Sequence, residues 1–140
     1  MKQITSGTGF VPPQQGGSHF NYEVDAWLRE MDFIVSEVSY MNTRLAFVVD
    51  VVNGPQAIAD AEVYQNKLLE FHDQLQVIRE QIKQHKETLK LNKVAQHPAY
   101  DKKNAAIHSK LRKVIVTAEK DYVNIKNDFN KFIAQLSGLQ

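Results

Sequence analysis

The chain has 140 residues, 17 Lys and Arg against 16 Asp and Glu, 43% hydrophobic residues, six Gly, four Pro and no Cys. This is the composition of a single soluble domain able to bury a core, and it excludes disulfides, thiolate metal sites and cysteine nucleophiles. A formal net charge of +1 supplies no global field for recruiting nucleic acid or an anionic membrane, so any such role must rest on local patches.

Glycine and proline divide the chain. Gly7, Gly9, Pro12, Pro13, Gly16 and Gly17 crowd the beginning, and residues 1–20 read as a flexible N-terminal arm in which Phe10, Val11 and Phe20 could tether to a surface. Residues 21–140 read as one domain of three long helices.

The first helix is predicted over 21–53, because Trp27, Met31, Ile34, Val38, Met41, Leu45, Val48 and Val52 recur at spacings of four and three, a heptad seam and not the alternation of a strand. Asn21 is the expected N-cap, with Glu23 and Asp25 in the first turn. Gly54 is expected in the left-handed helical conformation just beyond, and Pro55 at the first position of a second helix over 55–93. So short a joint forces an antiparallel hairpin. The second seam is Ala61, Tyr64, Leu68, Phe71, Leu75, Ile78, Ile82, His85 and Leu89. Pro98 opens a third helix over 98–137, whose seam is read as Tyr100, Asn104, Ile107, Leu111, Val114, Ala118, Tyr122, Ile125, Phe129, Phe132 and Leu136. Between Val114 and Ile125 that reading contains a four, four, three spacing, a stutter. The fold expected is all-α: an antiparallel three-helix bundle of long coiled-coil-like helices behind the arm.

Chemistry finds little purchase. None of His72, His85, His97 and His108 has a Glu three residues before it, so the Glu-x-x-His pairs of a di-metal bundle are missing, as are HExxH, a calcium loop and a phosphate loop. A phosphoacceptor histidine on a bundle is usually followed by Lys and then Gly, whereas His85 precedes Lys86-Glu87-Thr88-Leu89; it is expected to be a histidine at the core edge that snorkels or bonds locally. The expectation is a protein that is not an enzyme and carries neither metal nor cofactor.

Charge is arranged more tellingly than it is totalled. A possible anion-binding tip gathers Lys83, Lys86, Lys90, Lys93, Lys102, Lys103, Lys110, Arg112 and Lys113 around the turn between the second and third helices, which would suit nucleic acid or an acidic partner. In an up-down-up bundle, however, this turn lies beside Glu23, Asp25, Glu30, Asp32 and Glu37 of the first helix. Matching within the fold is therefore expected, and no aromatic residues interleave with the lysines to stack on bases.

The interaction signal is on the first helix. Phe33, Tyr40 and Phe47 recur every seven residues, with Val51 on the same side, well away from the Met31 to Val52 seam. A helix that is apolar on two faces needs cover for the second. The candidate covers are the arm, wide packing of the other two helices, a second copy of the chain, or a different protein. The function expected is that of a non-enzymatic structural or protein-protein interaction subunit, a homo-oligomer or adaptor acting through the first helix; the anion-directed tip is the alternative. The longest strongly apolar run, Leu45 to Val49, is far short of the roughly 20 residues of a membrane span. Met1 to Gly9 lack the apolar stretch of a signal peptide, which sets a cytoplasmic default that specialised export or packaging in a viral particle would override.

Overall fold

The computed structural model describes residues 16–51, 54–95 and 98–138, and every one of these except Gly54 is helical. Helix α1 runs Gly16–Val51, α2 Pro55–Ala95 and α3 Pro98–Gly138. At 1.5 Å per residue the three rods are about 54 to 62 Å long. Among the described residues no helix is long and apolar enough to cross a membrane.

The seams pack as their spacing demands. Met31, Ile34, Val38, Met41 and Leu45 of α1 face Leu68, Phe71, Leu75 and Ile82 of α2, with Leu111, Ala118, Phe129, Phe132 and Leu136 of α3 completing one buried core. Antiparallel order is fixed by contacts at both ends. Lys86 reaches Asp25 and Arg79 reaches Asp32, while Tyr64 near the start of α2 stacks on Phe132 near the end of α3 at 4.3 Å. Helix α1 therefore runs parallel to α3, and it packs more extensively on α2 than on α3.

Three details differ from the sequence reading. First, α1 begins at Gly16, five residues before Asn21, so Asn21 is an interior residue and not the cap. The seam runs back one further heptad through Val24, fully buried, to half-buried Phe20, and that burial outweighs the poor helix propensity of Gly16 and Gly17 in a first turn. Only residues 1–15 of the expected arm, Phe10 and Val11 among them, lie outside the described residues, as do Val52 and Asn53.

Second, α3 has no stutter. Its inward positions are Asn104, His108, Leu111, Ile115, Ala118, Tyr122, Ile125, Phe129, Phe132 and Leu136, at unbroken fours and threes. Ile115 is 2% exposed and takes the place assigned to Val114, which is half-buried. Third, Gly54 adopts φ 142°, a conformation that favours glycine but lies outside the narrow left-handed helical range. Its carbonyl accepts the first helical bond of α2 from the Ile58 N–H at 3.1 Å. Gly54 is thus the N-cap of α2, and Pro55 occupies the first helical position, where its missing N–H costs nothing.

Candidate functional site

The α1 stripe stands open in the monomer. Phe33 is 56% exposed, Tyr40 61%, Phe47 71% and Val51 57%, so packing by α2 and α3 does not reach around to cover it. Phe20 does not cover it either, because its ring stacks on His108 at 4.0 Å. On the α3 side the stripe is bordered by Tyr122, whose ring meets Phe33 edge to face at 6.3 Å and whose hydroxyl donates to Glu37 at 2.8 Å. Lys126 approaches Glu37 at 3.6 Å.

The sequence reading missed how α3 widens this surface. Val116 and Val123 are exposed and share a helix face with Glu119, which meets Glu30 of α1. They therefore flank the outer side of the α1/α3 groove, next to the aromatic stripe. Their seven-residue spacing outside the core seam shows that they share one face of α3, but not that this face borders the stripe. Arg29, Arg44 and Asp50 beside the stripe are exposed and form no ion pair among the described residues.

Glu30 and Glu119 form a like-charge contact where charge matching was expected. The hydrogen bond between the two carboxyl groups, reinforced by burial and mutual repulsion, pushes Glu30 up to about 7. One proton is shared between them on the acid side of neutrality.

The basic tip is partly neutralised, as the topology implied. Arg112 grips Glu23 through two nitrogens, at 2.6 and 3.2 Å. Lys86 pairs with Asp25 at 2.8 Å, and Lys90 approaches Glu87 at 3.8 Å. Lys83, Lys102, Lys103, Lys110 and Lys113 remain exposed. The backbone of Lys93 is helical, and its side chain lies outside the described residues.

Beneath the tip a buried polar layer joins all three helices. His85 is 3% and His108 1% exposed. His85 Nε2 lies 3.0 Å from His108 Nδ1, and His108 Nε2 lies 3.0 Å from Glu23 Oε1. Burial disfavours the charge on Glu23, but hydrogen bonds from Arg112 and His108 outweigh it and hold the carboxyl below its usual range.

An ionised carboxylate can only accept, so His108 carries its proton on Nε2. Its bare Nδ1 then accepts from His85 Nε2–H. The chain ends at His85 Nδ1, a buried acceptor with no protein partner. Trp27 and Phe20 enclose the His108 ring, and Asn92 donates to buried Asn104 at 3.1 Å. Burial, and after it the repulsion that a protonated His108 would exert, lowers His85 to about 4. His108 is also lowered by burial, against the pull of Glu23. His85 thus neither snorkels nor bonds locally; it bonds across helices. The His85 ring also lines a groove of about 370 Å³ between α2 and α3, with Gln81, Gln84, Ile107 and Lys110. Among the described residues no group of three or more His, Asp or Glu is arranged to hold a metal ion.

No protein-family model, curated protein or solved structure matches the chain.

Proposed function

We propose that this protein is a non-enzymatic structural or interaction subunit that assembles through the outer face of α1, in its simplest form with a second copy of itself. The observation that carries the reading is the run of Phe33, Tyr40, Phe47 and Val51, each more than half exposed along one face of α1. Burying one large aromatic side chain is worth roughly 1.5 to 3 kcal/mol, so three in line can offset much of the entropic cost of association. A solitary exposed apolar residue would mean nothing, but an aligned row of them does. The partial neutralisation of the lysine-rich tip by Glu23 and Asp25 favours this reading over anion-directed binding.

Light scattering on the purified chain tests it. The wild type is expected to be an oligomer at micromolar concentration. Tyr40→Glu is expected to give a monomer of unchanged helix content, since the core seam lies on the other side of α1. A wild type that stays monomeric at high concentration refutes the proposal, and a Tyr40→Glu variant that unfolds places the stripe in the core.

A further inference from the structure

Resting on self-association through α1, the charges beside the stripe decide how two copies meet. A parallel two-fold arrangement sets opposite edges of the stripe together: Arg29 meets Glu30 of the partner subunit, which already bonds Glu119, while Arg44 comes beside Thr43 of the partner subunit and Asp50 beside Val51 of the partner subunit. Arg29, Arg44 and Asp50 are exposed and without an ion-pair partner among the described residues, so the parallel arrangement leaves Arg44 and Asp50 unmatched. An antiparallel arrangement about a two-fold axis at Tyr40 gives all three an opposite charge. Phe33 comes level with Phe47 of the partner subunit, and Tyr40 sits on the axis. Arg29 comes within a residue of the level of Asp50 of the partner subunit, and Arg44 does the same with Glu37. In each of these pairs both residues flank the same side of the stripe, so the two-fold operation brings them to the same edge of the interface.

The second group of exposed apolar residues fits the same arrangement. Contacts between Glu30 and Glu119 and between Phe33 and Tyr122 put Val123 level with Phe33, and Val116 about half a turn before Arg29. With the axis at Tyr40, Phe47 of the partner subunit comes level with Phe33 and Val123, and Val51 of the partner subunit lies near the level of Val116. We infer that the protein forms a two-fold antiparallel dimer in which the second half of each α1 seats in the α1/α3 groove of the other copy, held in orientation by Arg29 with Asp50 and Arg44 with Glu37. The face then includes α3, and every exposed apolar residue of the α1/α3 side beyond Tyr22 acquires a neighbour.

Charge reversal tests the orientation separately from assembly. Arg29→Glu and Asp50→Lys each set like charges at one level twice per dimer, and each is expected to weaken the dimer about tenfold. The double variant restores opposite charges and is expected to recover wild-type affinity in sedimentation velocity. Because the chain has no cysteine, a second measurement is clean: Arg29→Cys mixed with Asp50→Cys should cross-link under mild oxidation, while neither variant cross-links with itself. A dimer that ignores both reversals, a double variant no tighter than the singles, or self-cross-linking of Arg29→Cys overturns the antiparallel assignment and leaves assembly through α1 standing. A monomeric wild type overturns both.

Discussion

Acidification is expected to destabilise the bundle through His85. Its folded pKa is about 4, well below the ordinary histidine value of 6.5, so between these limits the unfolded chain binds a proton at this site that the folded chain refuses. Stability then falls as pH falls. The full span is worth about 3 kcal/mol, at 1.36 kcal/mol per unit, and roughly 2 kcal/mol of it is lost by pH 5. His85→Leu removes the site. At pH 7.5 the variant is expected to lose about 1 to 3 kcal/mol, because His108 Nδ1 loses its donor and stays buried. At pH 5 that deficit should shrink by about 2 kcal/mol, since the variant escapes the proton uptake that weakens the wild type. Urea unfolding at the two pH values measures both. Equal pH dependence in wild type and variant would refute the argument, as would a His85 resonance titrating near 6.5 by NMR.

The carboxyl pair one heptad beyond Glu23 on the same face of α1 has the opposite sign. Glu30 is raised from 4.5 to about 7, so its stabilising contribution is present at acid pH and lost as pH rises through 7. Glu30→Gln is expected to raise stability at pH 8 by a few tenths to about 1 kcal/mol after solvent screening, with the gain vanishing near pH 5 in the same urea series. Gly54→Ala is expected to cost ~1 to 3 kcal/mol and to lower the thermal midpoint. The cause is the φ of 142° alone, since an added Cβ would meet nothing within 4 Å.

The helices were legible because each seam repeats over several turns, and the prolines at 55 and 98 stand where two helices start. Legibility failed where a polar residue occupied an inward position. Passing over His108 forced Val114 into the α3 seam and produced a stutter, although Asn104, His108, Leu111 and Ile115 keep the spacing without interruption. The start of α1 was misplaced because glycines dominated the reading, while Phe20, Val24, Trp27 and Met31 already carried the heptad backwards. The exposed stripe could be read from periodicity alone. Its extension by Val116 and Val123, and the meeting of Glu30 with Glu119, could not, because they depend on how far each helix rotates about its axis.

The polar layer has a consequence for folding specificity. Seams that repeat every seven residues can slide: moving α3 by one heptad, about 10.5 Å, still sets apolar residues against apolar residues along most of the core. The histidine chain abolishes that equivalence. Slipped one heptad, His85 would face Ile115 or Asp101 in place of His108, Glu23 would lose its bidentate arginine, and Asn92 would lose Asn104. Each stranded group costs roughly 1 to 3 kcal/mol. In the native alignment all of these bonds are made, and only His85 Nδ1 is left without a protein partner. Three interchangeable apolar rods thus acquire a single permitted position from one non-repeating set of polar residues near one end, much as a buried asparagine sets the alignment of a coiled coil.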